Sequence, residues 1–187
     1  MAVELNGGRI DRRVRLGSLC MHVLIATDGT LAPTRTATTA SRLAGGDGTI
    51  TVMSVVEVPR KLLEELRRNA TGATNPALDP EYQLEQAGDA EPTRWVGDDA
   101  FVERYVKNQV LLRTADLVAA LDDCGTHHEV VGIEGENAAS SVLDWFTDNS
   151  ADYLLIGTHG LGRFEGMLGS TSTKLARHAP CSVVLVR

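Results

Sequence analysis

Short, nearly continuous apolar runs alternate along this chain with stretches whose apolar residues recur every three or four positions. His22–Thr27 (HVLIAT) and Thr49–Val56 (TITVMSVV) are apolar enough to be strands buried on both faces. Between them Pro33 suits a first helical turn, and Ala37, Ala40 and Ala44 fall at helical spacing, so the segment reads as a βαβ unit. Further on, Val102, Val106, Val110, Leu117 and Leu121 form a helical stripe that ends near Gly125, followed by a strand at Glu129–Ile133. A helix carrying Ala139, Val142, Leu143 and Phe146, a strand at Tyr153–Ile156, a helix at Ser170–His178 and a strand at Ser182–Val186 complete the pattern. The alternation predicts an α/β fold: five strands in a doubly wound parallel sheet, with helices on both faces.

Two segments depart from that rhythm. Residues 59–100 hold four of the six prolines, a short charged helix candidate at Lys61–Arg68 and then a polar run of little periodicity. The segment reads as an insertion or lid at the end of the second strand, on the edge where doubly wound sheets bind ligands. Residues 1–20 carry Arg9, Arg12, Arg13 and Arg15 against Glu4 and Asp11, and read as a disordered tail preceding a domain at 21–187.

Composition narrows the function classes. A chain of 187 residues, 43% hydrophobic, is long enough for one full core, and no apolar run approaches a membrane span. A net charge of -7 argues against nucleic acid as a partner, because that binding rests on Lys and Arg neutralising phosphates. Cys20, Cys124 and Cys181 are scattered and odd in number, which fits a reducing compartment, and the opening residues lack a secretory or transit pattern. The expected location is cytoplasmic.

The candidate chemistry lies toward the end of the sequence. Gly157-Thr-His-Gly160, a glycine-studded loop, and Gly169-Ser170 opening a helix would bring backbone N–H groups to an anion, with Ser170 as the expected N-cap. A plainer reading stands beside this one: the glycines allow a tight loop, and Asp28-Gly29 is an ordinary turn pair. His159 between two glycines suits a structural or exposed role. Cys124, His127 and His128 lack the second ligand pair of a metal site, and no Gly-x4-Gly-Lys-Ser/Thr phosphate loop is present. The glycines at 160, 162 and 166 follow the fourth strand rather than the first, which argues against a dinucleotide loop, and the third strand runs into Gly132-Ile-Glu-Gly-Glu136 without the Asp of a phosphoacceptor domain.

Taken in order, His22-Val-Leu-Ile-Ala-Thr-Asp28-Gly29-Thr30, Ile50–Glu57, Gly157-Thr-His-Gly160, Gly169-Ser170 and the closing His178–Arg187 resemble the universal stress protein family from Met21 onward. The resemblance implies an adenine nucleotide alpha hydrolase-like fold with strand order 3-2-1-4-5, placing the first and fourth strands together at the switch point. It implies ATP as ligand, with Mg2+ carried by the nucleotide. The residue matching Asp28 would contact the adenosine, and the main chain at Val55 would read the adenine edge. Ile156 and Gly157 would line the ribose side, Gly160 would let the chain pass the phosphates, and Gly169, Ser170, Thr171 and Ser172 would hold them. One departure stands out: eight residues, Leu161–Leu168, separate Gly160 from Gly169, where nucleotide-binding members have nine.

Two functions follow from different classes. One is a small stress-response regulator, a nucleotide-dependent dimeric switch read by protein partners; the other is a nucleotide-free dimerisation or interaction module that has lost the site through the shortened loop. An enzyme is the weaker option, since no general base or nucleophile–base pair stands near the loop. The apolar final strand is expected to be a sheet edge and to pair with a second copy, giving a homodimer.

Overall fold

The computed structural model describes residues 2–4, 20–59, 61, 98–158 and 168–187. The chain divides into two compact units, one made of Met1–Glu57 with Val106–Arg187 and the other of Val58–Tyr105. The first contains the sheet. Its strands are β1 (Ala2–Glu4), β2 (His22–Ala26), β3 (Thr49–Val56), β4 (His128–Glu134), β5 (Tyr153–Gly157) and β6 (Ser182–Val186). The helices are α1 (Pro33–Ala44), α2 (Asp98–Asp123), α3 (Ala138–Asp148) and α4 (Ser170–His178).

Among the described residues the sheet has six strands in the order β1-β4-β3-β2-β5-β6. The five strands from His22 onward are parallel, and counted from there the order is 3-2-1-4-5, as expected. β1 is the departure. The sequence reading left residues 1–20 outside the fold as a disordered tail, yet Ala2, Val3 and Glu4 pair antiparallel with Ile133, Gly132 and Val131. The open edge of β4 offers unpaired backbone groups, and three residues can pair there while being too short to show a period in the sequence. Residues 5–19, and the helix expected over 61–68 apart from Lys61, lie outside the described residues.

The alternation of side chains explains why β2 reads as a continuous apolar run. Val23, Leu24 and Ile25 are all fully buried. Val23 and Ile25 join Ile50, Val52 and Leu155 under Ala37, Ala40 and Ala44 of α1 and Leu117 and Leu121 of α2. Leu24 faces the opposite layer, with Met53, Leu154 and Ile156 under Ala139 and Val142 of α3 and Leu175 of α4. On the α2 side Gly132 permits close approach: a Cβ there would lie 2.6 Å from Val110 Cγ2. The core therefore fixes β2 between β3 and β5, and chain direction brings the carboxyl ends of all three to one edge.

Candidate functional site

At that edge lies a cavity of about 480 Å³. Asp28, Val55, Ile156, Gly157, Gly169, Ser170, Thr171 and Ser172 line it together, drawn from the ends of β2, β3 and β5 and the start of α4. Gly160, like His159 and most of the loop to Gly169, lies outside the described residues. The wall also includes residues that the sequence reading missed, among them Met53, Leu31, Val142 and Leu175. Ala138 and Val142 had a usable signal: α3 begins just beyond β4 and so opens at the same edge of the sheet.

Strand order gives the cavity a direction. β3 and β5 flank β2 on opposite sides, two strand spacings or about 10 Å apart. Met53 and Val55 bound the β3 side, and Val142, Ile156 and Leu175 continue the apolar wall. On the β5 side stands the first turn of α4, with Ser170 and Thr171 exposed and Ser172 buried. Asp28, at the end of β2, lies between the two sides.

The first turn of α4 differs in detail from expectation. Gly169, with φ -58° and ψ 156°, is the N-cap, and Ser170 is the first helical residue. Gly169 takes the cap because its carbonyl accepts the first helical bond, from Thr173 N at 2.8 Å, and its own N–H is already given to Thr158 O at 3.1 Å. The N–H groups of Ser170, Thr171 and Ser172 are those that an α-helix leaves without intrahelical partners. They carry the positive end of the helix dipole, so an anion finds donors there without a lysine. The Ser172 hydroxyl donates to Gly157 O at 2.7 Å, clamping the end of β5 to the helix start. What Ser172 offers an anion is its backbone N–H, its hydroxyl hydrogen being committed.

Asp28 combines the plain reading with the functional one. Its Oδ1 accepts from Thr30 N at 3.1 Å and from Thr30 Oγ1 at 2.6 Å, an Asx turn that holds the loop after β2. The residue remains exposed and on the cavity wall. With Oδ1 engaged within the turn, Oδ2 is the oxygen available to accept from a ligand hydroxyl. Lys174 Nζ donates to Ser140 Oγ at 2.9 Å, tying together α3 and α4, whose first turns both border the cavity. Asn137 caps α3 by accepting from Ser140 N at 3.0 Å.

An apolar slot, a carboxylate and a helix N-terminus in that order suit a ligand with a planar apolar group, hydroxyls and an anionic end. The chain is similar in fold to a universal stress protein solved in complex with cAMP, at 17% identity over 91% of this chain and 98% of that one, with a TM-score of 0.50. It is likewise similar to the hypothetical protein MJ0577, at 14% identity over 90% of this chain and 96% of that one, with a TM-score of 0.53. No curated protein matches the sequence. Residues 20–187 match the model of the universal stress protein family, a span that takes in the parallel strands and the four helices named above and every wall of the cavity among the described residues. The chain belongs to the universal stress protein family.

Proposed function

We propose that this protein is a cytoplasmic stress-response regulator that binds ATP in the crevice between β2 and β5 and acts as a nucleotide-dependent homodimeric switch. The observation that carries the reading is the order of chemistry across the cavity: an apolar wall on the β3 side, Asp28 at the end of β2, and, on the β5 side, the first-turn N–H groups of Ser170, Thr171 and Ser172, which the helix itself leaves unbonded. A purine ring, a ribose and a phosphate chain present matching groups in the same sequence. The complex of a similar protein with cAMP supports the nucleotide class. Mg2+ would arrive on the nucleotide.

The role is binding rather than catalysis. Asp28 is the one charged side chain on the cavity wall among the described residues, and one of its oxygens already holds Thr30 in the turn after β2. For the switch, β6 supplies the edge: among the described residues it pairs only with β5, and Leu185 is 44% exposed on it. A second copy of the chain is the partner proposed for that edge, alongside protein partners that read the nucleotide state.

The eight-residue spacing between Gly160 and Gly169 favours a second reading, a nucleotide-free interaction module of the same fold. Calorimetric titration of the full chain with Mg-ATP, using AMP and GTP as controls, separates the two. Saturable binding that prefers adenine nucleotides is the expected result, with light scattering reporting a dimer whose stability changes with nucleotide. No heat from folded protein free of copurified nucleotide overturns the ATP reading and leaves the module.

A further inference from the structure

The two edges of the sheet are finished differently. At one edge β6 pairs with β5 alone among the described residues, which leaves Ser182–Val186 bare on one side with Leu185 exposed there. At the other edge β4 pairs with β3 along all 7 residues of His128–Glu134, and its outer side would be equally bare without β1. The middle of β4, Val130-Val-Gly-Ile133, is rich in β-branched residues and holds neither charge nor proline, a composition that invites another strand. β1 falls on that stretch: Ala2, Val3 and Glu4 lie antiparallel against Ile133, Gly132 and Val131. What remains is His128–Val130 on one side of the pairing and Glu134 on the other, each shorter than an ordinary strand of about five residues. The N–H and C=O groups that a strand of another chain would use are thus taken up by the chain itself.

We infer that β1 is an assembly stop, closing the β4 edge to a second copy of the chain and confining self-association to β6. The inference rests on the homodimer proposed above. Its physical basis is symmetry. A pair joined through β6 presents two β4 edges, one at each end of the doubled sheet. Two β4 strands from different copies can pair antiparallel about a twofold axis, since centring on Val131 sets the same apolar stretch of both face to face. Contacts of this kind at both edges do not close: each added pair exposes a fresh β4, and the sheet extends without limit. With β1 in place the series ends at two chains. Covalent attachment gives β1 the advantage over a strand of another copy, which is present only at the protein's own concentration.

The test is light scattering of the full chain over a range of concentration, for the wild type, for Val3→Pro combined with Glu4→Pro, and for that variant with Val131→Lys added. Strand N–H groups point alternately to either side, so one of two adjacent prolines removes a ladder donor whichever residue supplies it. The wild type is expected at the mass of two chains throughout. The proline variant should rise with concentration to roughly four chains or more, at least about twice the wild-type mass. Val131→Lys, which sets two cations opposite one another in the β4 pair, should return it to two chains. A proline variant that melts as a folded protein and keeps the wild-type mass overturns the inference, as does growth that the lysine leaves unchanged, for the contact then lies elsewhere. Hydrogen exchange of the wild type needs no variant to fold. The N–H groups of Val131–Ile133 should all exchange slowly, those facing β1 as well as those facing β3, and fast exchange of alternate groups overturns the inference. A wild type of one chain removes the homodimer reading instead; the stop then requires the proline variant to double in mass, and an unchanged variant removes the stop as well.

Discussion

The two ends of the parallel sheet are built from the same strands and are chemically opposite. At the carboxyl end β2, β3 and β5 open onto a cavity of about 480 Å³ that also takes in the first turn of α4. At the amino end every strand start is tied to its neighbour. His22 N donates to Asp152 Oδ2 at 2.7 Å, Asp152 N returns a bond to His22 O at 2.8 Å, and Ser182 N donates to Asp152 O at 3.2 Å. The His22 ring joins Ser150 O through Nδ1 at 2.6 Å and Thr51 Oγ1 through Nε2 at 2.8 Å, and Thr51 in turn donates to Glu129 Oε1 at 2.7 Å. That chain of bonds crosses from the segment before β5, through β2 and β3, to β4. Beside it Cys181 has its thiol pushed up, first by burial and then by the negative charge of Asp152. One end is closed by a network that ties strand to strand, and the other surrounds a cavity, so substitutions at the two ends should separate stability from the binding proposed for that cavity.

The largest effect is expected at Gly48, where α1 returns to β3. A Cβ there would be driven into the carbonyl oxygen of Ala44 and lie 2.5 Å from that of Met21. Both obstacles are backbone, and Met21 O already accepts from Thr49 N at 3.0 Å, so neither moves without breaking the entry to β3. Gly48→Ala should cost about 3 kcal/mol or more, the upper range for overpacking. Denaturant unfolding measures it, and a loss below about 1 kcal/mol would show that the amino end tolerates displacement.

Thr51→Val asks the same question by chemistry rather than volume. Thr51 is fully buried, and valine keeps its shape while removing the hydroxyl that links His22 to Glu129. The imidazole Nε2 and one carboxylate oxygen lose their partner, an expected cost of about 2 kcal/mol. Nucleotide affinity should remain within about twofold, since Thr51 lies near the start of β3 and is not among the residues lining the cavity. A variant as stable as wild type would mean that water replaces the hydroxyl and that the network contributes little.

Much of this division was legible in the sequence. The strands at 22–26, 49–56 and 182–186 declare themselves as apolar runs and the helix at 170–178 follows from the chain between them, because each sends side chains such as Val23, Leu24, Ile50, Met53, Leu175 and Val186 into the core. Asp28, Val55, Ile156, Gly157 and Gly169–Ser172 were legible as a group through the family resemblance, whose strand order brings the carboxyl ends of the first and fourth parallel strands together, and they line one cavity. What was not legible depends on residues distant in sequence that meet only once the chain has folded. Arg113 reaches Val55 from a helix beyond the 59–100 segment, and nothing in its neighbours distinguishes it from a solvated arginine. The His22–Thr51–Glu129 chain is hidden for the same reason: each member is an ordinary polar residue within a strand. Ala2–Glu4 is too short to carry a pattern, and the N-cap shifted from Ser170 to Gly169 because the choice depends on the bond to Thr158, which the local sequence does not show.

The smallest effect on the fold, and the most telling for function, is expected from Asp28→Ala. Its carboxylate holds Thr30 through one oxygen, so alanine loosens the turn after β2, and a cost of about 1 kcal/mol is expected, as for the loss of a cap. If the other oxygen accepts from a ribose hydroxyl, ATP affinity should fall about tenfold besides, the worth of one bond to a charged group. Asp28→Asn separates the two roles. An amide oxygen still accepts from Thr30, so the turn and its stability are kept, while the charge offered to the ligand is lost. Equal stability with weaker binding in Asp28→Asn would place Asp28 with the ligand groups of the carboxyl end. Unchanged affinity in both variants would instead assign Asp28 to the structural class that dominates the amino end, and the line between the two ends would have to be drawn beyond Asp28, at the first turn of α4.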